Sequence, residues 1–232
     1  MKTIDVGPEN GRTLFSPTGF DRAFARGVRR SLLLARLTTP VRVPATIRLP
    51  EDRPVIVAAN HSSMFDLAAS LITVGNYGAA ARMGVHARFF KRAGVGRFLH
   101  RIGCIPFSSE LADEAERTMI GALEDGQLCC LMPEGRIVRS DQRVDGRVGQ
   151  GRPGISRIAR ATGAAILPVG FAGADRAWRP GTAVPRLRRR DEVVANIGEP
   201  FMFDGDDHTA NADLVMATIS DLLARHAAAA GV

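Results

Sequence analysis

The sequence predicts an α/β fold in which a largely parallel central sheet is flanked by helices, with a basic amphipathic helical segment at the N-terminus. From Val55 onward, short apolar runs of strand length alternate with longer segments of helical periodicity, which is typical of βαβ units. The composition, 45% hydrophobic and 24% charged over 232 residues, is that of a globular chain with a sizeable core.

Each predicted element follows from its local pattern. The apolar runs predict strands at Val55–Ala59, Arg82–His86, Cys104–Phe107, Leu128–Met132, Ala165–Phe171 and Val193–Ile197. The segments with helical spacing predict helices at Met64–Val74, from about residue 87 to Arg101, at Ala112–Glu124, at Ile155–Thr162 and at Asp213–Ala228.

Residues 1–48 are predicted to precede the main domain, which spans residues 49–232. Residues 1–19, with Pro8 and Pro17, read as a poorly ordered lead-in. In the segment 20–37, apolar residues recur every four positions and arginines lie between them. Such a helix either lies in a membrane interface or packs on the domain, and the two alternatives are compatible.

The chain is basic, with 31 Lys and Arg against 24 Asp and Glu, and all but two of the bases are arginine. The excess either reflects solvated surface or favours anionic partners such as phosphate groups and lipid headgroups. Two runs carry much of it: Arg82, Arg88, Lys91, Arg92, Arg97 and Arg101, then Arg136, Arg139, Arg143, Arg147, Arg152, Arg157 and Arg160. A nucleic-acid-binding domain is the less favoured alternative, because one Tyr and one Trp offer no cluster for stacking bases.

Other function classes are disfavoured by what the sequence lacks. Cys104, Cys129 and Cys130 have no metal-ligand spacing and read as buried residues of a reducing compartment, so we expect no metal. We see no secretory signal and no run of about 18 apolar residues. We therefore expect peripheral membrane contact, on the cytoplasmic side, without a transmembrane span.

The turn after the first strand of the main domain carries the first candidate site. On a regular helix, residues five apart point roughly 140° away from each other, so His61 and Asp66 can meet only if His61 precedes the helix. Asp66 would then hold Nδ1 of His61 and leave Nε2 as a general base for a substrate hydroxyl. Ser62 and Ser63 are predicted to cap the helix that follows. The alternative for His61 and Asp66 is a capping histidine and a surface carboxylate.

Five sequence blocks, in order across residues 53–201, resemble those of the glycerolipid acyltransferases, the lysophosphatidic acid acyltransferase family. Asn60-His61 with Asp66 matches the N-H-x4-D block, and Pro133-Glu134-Gly135 matches the start of P-E-G-T-R-S. The remaining blocks are Gly103-Cys104-Ile105-Pro106-Phe107, Leu167-Pro168-Val169 and Gly198-Glu199-Pro200.

This resemblance implies transfer of a fatty acyl group to a hydroxyl of a lysophospholipid or another glycerol-phosphate-type acceptor. The donor would be acyl-CoA or an acyl carrier protein, with no resident cofactor. His61 and Asp66 would be catalytic, and the acceptor would be bound by Glu134, Gly135, Arg136 and Arg139.

Two departures from the family pattern concern the acceptor. Ser109 stands where the second block commonly has arginine, and Arg136-Ile137 replaces the Thr-Arg pair of the third block. The acceptor is therefore either held by a displaced arginine or is not lysophosphatidic acid. A non-catalytic lipid-surface protein on the same scaffold is the remaining alternative. Trp178 reads as a packing residue, or else as part of the rim of the site.

Overall fold

In the computed structural model, which describes residues 1, 3–6, 19–144, 147–178, 182 and 192–230, one seven-stranded sheet forms the centre of the molecule. The strands are β1 (Thr3–Val6), β2 (Val41–Arg42), β3 (Ile47–Pro50), β4 (Val55–Ala59), β5 (Ala81–His86), β6 (Ile105–Phe107), β7 (Leu128–Leu131), β8 (Ala165–Ala172) and β9 (Val193–Ile197). The helices are α1 (Gly19–Leu37), α2 (Asp66–Asn76), α3 (Val95–Arg101), α4 (Ala112–Glu124), α5 (Gly154–Thr162), α6 (Ala174–Ala177) and α7 (His208–Ala230).

The large sheet has the strand order β2-β9-β8-β4-β7-β5-β6. Its pairings are parallel except for the antiparallel pair of β8 and β9. The central strand β4 pairs with β7 on one side, Ile56 opposite Cys129, and with β8 on the other, Val57 opposite Leu167. The predicted fold class, a largely parallel sheet flanked by helices, is confirmed.

The central strands are apolar throughout because both faces of the sheet are covered. All five residues of β4 are buried, and they alternate between two hydrophobic clusters. Val55, Val57 and Ala59 face the side of α2, whereas Ile56 and Ala58 face the side of α4, α5 and α7. This is the pattern expected of a parallel strand covered by helices on both sides.

The predicted elements are present, and most differences lie at their ends. The helical stretch expected after β5 is divided into a 3₁₀ turn at Ala87–Phe89 and the helix α3. Gly94, at φ +79°, separates the two because a helix cannot continue through a left-handed residue. The helix α7 begins five residues before the predicted start, after Asp207, whose Oδ1 accepts hydrogen bonds from the N–H groups of Thr209 and Ala210.

The N-terminal part of the chain is more closely joined to the domain than the sequence suggests. Within the predicted lead-in, β1 forms an antiparallel pair with β3, while residues 7–18 lie outside the described residues. The strand β2 joins the edge of the main sheet beside β9. The domain boundary at residues 48 and 49, which falls within β3, stays a prediction.

The helix α1 packs on the body of the protein through one face. Phe24, Ser31 and Ala35 are buried on it, and Val28 approaches α2 at Gly75, where a Cβ would lie 2.6 Å from Val28 Cγ2. With 3.6 residues per turn, the opposite face presents exposed Arg26, Arg29, Leu33 and Leu37. None of the helices that the structure describes combines the length and apolarity needed to cross a membrane.

Candidate active site

The two polar sequence blocks meet because their strands are parallel neighbours. His61 follows the carboxyl end of β4, and Pro133 follows that of β7. The carboxyl ends of adjacent parallel strands open on the same edge of the sheet, where α/β proteins commonly bind ligands. The loops after β4 and β7 therefore form one site.

His61 and Asp66 are in direct contact. Nδ1 of His61 lies 2.8 Å from Oδ2 of Asp66, and α2 begins only at Asp66, so His61 is on the preceding turn. The Asp66 side chain is fully buried, whereas 25% of the His61 side chain is exposed. Because Nδ1 faces the carboxylate, Nε2 on the far side of the ring points away from it and can face a substrate.

The Asp66 carboxylate also organises the turn that carries His61. Its Oδ2 accepts hydrogen bonds from the N–H groups of Ser62 and Ser63, each at 2.7 Å. The prediction that Ser62 or Ser63 caps the helix is wrong: the N-cap is Phe65, with no capping side chain. Instead, the Ser63 hydroxyl accepts from the Phe65 N–H and donates to the carbonyl of Trp178.

Asn60 fixes the start of the same turn to β8. Its Oδ1 accepts from the N–H of Phe171 at 2.7 Å, and its Nδ2 donates to the carbonyl of Phe171 at 3.2 Å. The side chain is fully buried, so these bonds are shielded from water.

Trp178 packs against the hydrophobic cluster on the α2 side, and its carbonyl bond to Ser63 places its backbone beside the turn.

Glu134 holds the His61 backbone from the side of β7. Its Oε2 accepts from the N–H of His61 at 2.5 Å, and its Oε1 accepts from the N–H of Gly149 at 2.7 Å. The carbonyl of His61 in turn accepts from the N–H of Val138 at 2.7 Å. Burial raises the pKa of the Glu134 carboxyl, while the two backbone hydrogen bonds act in the opposite direction.

The other predicted acceptor residues are closer to solvent. Gly135 has φ +64°, and a Cβ there would lie 2.6 Å from Nε of Arg152, so both conformation and space favour glycine. Arg136 is exposed, and Arg139 is exposed and forms an ion pair with Asp141. The structure therefore brings His61, Asp66 and Glu134 together, with Arg136 and Arg139 on the outer part of the loop. Their binding of an acceptor stays a prediction.

Sequence reasoning missed the residues that act through their backbone. Val138 and Gly149 contact His61 and Glu134 by main-chain N–H groups, which no side-chain pattern reveals. The only hint in the sequence is that residue 149 is a glycine. The structure shows why: a Cβ there would lie 2.8 Å from Val138 Cγ2 and 3.1 Å from Glu134 Oε1. Within the described parts of the chain, no His, Cys, Asp and Glu residues are grouped as a metal site.

A family model matches most of the domain that carries this site. The model of the Acyltransferase family matches residues 40–172, more than half of the chain, so the chain belongs to the acyltransferase family. No curated protein matches the sequence.

Among solved structures, the chain is similar to the crystal structure of the 1-acyl-sn-glycerophosphate (LPA) acyltransferase, PlsC, from Thermotoga maritima. The TM-score is 0.65 at 22% identity, over 89% of this chain and 79% of the other. This likeness shows that the two chains share a fold.

Replacing Glu134 separates a positioning role from an acceptor-binding one. Glu134→Gln keeps the shape but removes the charge that accepts the His61 N–H. We expect kcat for acyl transfer to fall about tenfold to a hundredfold with little change in acceptor KM, because a hydrogen bond to a charged group contributes about 1.5–3 kcal/mol. Steady-state kinetics would measure both constants.

Glu124→Gln is the matched control, since Glu124 is exposed at the end of α4. It should leave kcat and KM unchanged. A Glu134→Gln enzyme with normal kcat and a raised acceptor KM would instead support direct contact between Glu134 and the acceptor.

Proposed function

We propose that the protein is an O-acyltransferase that moves a fatty acyl group from acyl-CoA, or from an acyl carrier protein, to a hydroxyl of a lysophospholipid or glycerol-phosphate-type acceptor. One observation carries the proposal: Nδ1 of His61 is held by the buried Asp66 carboxylate, while part of the imidazole is exposed beside the β7 loop. This is the arrangement of a general base and its orienting group.

In the proposed reaction, Nε2 of His61 removes the proton from the acceptor hydroxyl as its oxygen attacks the thioester carbonyl carbon. The tetrahedral intermediate collapses with cleavage of the carbon–sulfur bond, and the imidazolium returns the proton to the thiolate that leaves. The products are an ester and a free thiol. The Asp66 carboxylate keeps the Nδ1–H in place and stabilises the transient imidazolium.

The surroundings of the cysteines favour direct transfer without an acyl-enzyme. Burial raises the pKa of Cys104, Cys129 and Cys130 to about 12, so all three remain thiols at neutral pH. Cys129 and Cys130 lie within β7, buried in the sheet, and Cys104 is buried immediately before β6. The nucleophile in the proposed mechanism is therefore the acceptor hydroxyl itself.

The proposed location is an anionic membrane surface, contacted by the outer face of α1. This face combines exposed arginines, including Arg26 and Arg29, with the residues Leu33 and Leu37, which are 59% and 60% exposed. Basic and apolar side chains on one exposed helix face suit the interface between headgroups and acyl chains. Such an orientation would bring a lipid acceptor to the enzyme without a transmembrane segment. We propose the cytoplasmic leaflet, which carries anionic lipid.

His61 and Asp66 give the most direct test of the reaction. His61→Ala should lower kcat by about two to four orders of magnitude, the usual contribution of a general base. Asp66→Asn should also lower kcat, because an amide stabilises the imidazolium less well. The measurement is acceptor-dependent release of thiol from acyl-CoA, with a panel of lysolipids.

His86→Ala is the control, since His86 is exposed at the end of β5, and it should keep wild-type turnover. Near-normal, acceptor-dependent thiol release by His61→Ala would refute the assignment. Lipid binding by the wild-type protein without any thiol release would favour the non-catalytic alternative.

The membrane proposal is tested by removing charge from one face at a time. Arg26→Gln with Arg29→Gln should weaken binding to anionic vesicles about tenfold or more, since each basic side chain near such a surface contributes about 1 kcal/mol. Sedimentation with vesicles at increasing salt would measure the effect, and binding should weaken as exposed charges are screened.

Arg117→Gln with Arg225→Gln removes the same charge from exposed positions on α4 and α7, on the other side of the sheet. This control should bind like the wild type. Equal loss in both double variants, or equal binding to neutral and anionic vesicles, would contradict an oriented contact through α1.

A further inference from the structure

A basic segment follows the carboxyl end of β5, at the same edge of the sheet as the candidate active site. β5 is parallel to β7 and β7 is parallel to β4, so the chain leaves all three strands at this edge. Arg88, Lys91 and Arg92 are exposed between the end of β5 and the start of α3. Because β5 is the second neighbour of β4, about 10 Å away across the sheet, these cations lie beside His61 and not next to it.

The positive charge of this segment has no acidic neighbours to neutralise it. The sequence contains no Asp or Glu between Asp66 and Glu110. Among the residues that the structure describes, none of the three cations forms an ion pair, whereas Arg42, Arg139 and Arg157 each do. A cluster of like charges without internal counter-ions attracts an anionic ligand.

The two arginines of the segment are held against one aromatic ring. Cζ of Arg88 lies 4.8 Å from the centroid of the Phe89 ring, and Cζ of Arg92 lies 5.3 Å from it. The ring itself packs against the hydrophobic cluster on the α2 side, so both guanidinium groups contact an anchored partner. Such a contact uses the charge of a guanidinium but none of its five N–H donors.

The backbone that carries these arginines is closely packed. The N–H of Gly96 donates to the carbonyl of Arg92 at 2.8 Å, and a Cβ at Gly96 would collide with the carbonyl oxygen of Phe90. The N–H of Arg88 donates to Nδ1 of His86, which caps the 3₁₀ turn. Donors held in place in this way suit a ligand with discrete charged groups, whereas the diffuse attraction of a membrane surface does not require them.

We infer that Arg88 and Arg92 bind the phosphates of coenzyme A when acyl-CoA is the donor. The inference rests on the proposed function, in which the thioester of the donor lies at His61. In acyl-CoA the pantetheine arm separates the thioester from the diphosphate and the 3′-phosphate, so the cations that hold these phosphates must lie at a distance from the base. The segment after β5 meets this requirement, and each planar guanidinium can hold a phosphate through paired N–H donors.

The experiment compares two thioesters with the same acyl group, acyl-CoA and acyl-N-acetylcysteamine, which lacks the phosphates. Arg88→Gln combined with Arg92→Gln should raise the KM for acyl-CoA about tenfold or more, because charge-assisted hydrogen bonds are lost. The KM for acyl-N-acetylcysteamine and for the acceptor should not change. Arg88→Lys combined with Arg92→Lys should lose less, since an ammonium keeps the charge but not the planar fork.

Arg117→Gln with Arg225→Gln is the control that removes the same charge from the other side of the sheet, and it should behave like the wild type. Binding of coenzyme A itself, measured by isothermal titration calorimetry without lipid, makes the result independent of turnover. A Kd about tenfold weaker or more for the Arg88 and Arg92 variant than for the control would support the inference. It would do so even if the wild type released no thiol, which would count against the proposed function alone.

Three results would overturn the inference: an unchanged Kd for coenzyme A and KM for acyl-CoA, an equal rise in KM for both thioesters, or no binding of coenzyme A by the wild type. A loss confined to vesicle binding would assign the arginines to the membrane instead, and a raised KM with an acyl carrier protein alone would assign them to that protein. Either result would also contradict a site for coenzyme A. If the double Gln variant does not fold, the double Lys variant replaces it in the same comparison.

Discussion

Three hydrogen bonds converge on one oxygen of a carboxylate that is fully buried. Oδ2 of Asp66 accepts from Nδ1 of His61 at 2.8 Å and from the N–H groups of Ser62 and Ser63 at 2.7 Å. The backbone bonds give the turn its shape, and that shape directs the imidazole toward the same oxygen. The same carboxylate oxygen therefore fixes both the turn and the orientation of the ring.

The second constraint comes from the neighbouring strand. Glu134 accepts the N–H of His61, and Val138 donates to its carbonyl, so both backbone groups of His61 are bonded to the loop after β7. Because β4 and β7 are parallel and adjacent, this requires only short loops at one edge of the sheet. The side chain of His61 is thus oriented by Asp66 at the end of its own turn, and the backbone of His61 is held by the loop after β7. Rigid support of this kind suits catalysis, which depends on sub-ångström placement.

The sequence predicts the parallel sheet and the contact of His61 with Asp66 because both follow from local patterns. Short runs of apolar residues predict the buried strands of the sheet. Two residues five positions apart can touch only if the first precedes the helix, which places His61 on the turn. The pairing of β1 with β3 was missed because short strands beside proline and glycine give no clear periodicity. The roles of Gly149 and Val138 were missed because main-chain donors carry no residue-type signal.

The position of the proton on the neutral His61 ring is decisive for the proposed mechanism, because only Nε2 is directed away from Asp66. This is measured directly by ¹⁵N NMR of the imidazole in the uniformly labelled protein, with His61 assigned by its absence in His61→Gln. We expect that in the neutral ring Nδ1 is protonated, with its proton shifted downfield by Asp66, and that Nε2 carries no proton. Replacement of Asp66 by Asn should abolish that downfield proton. A neutral His61 with its proton on Nε2 in the wild-type protein would contradict the account.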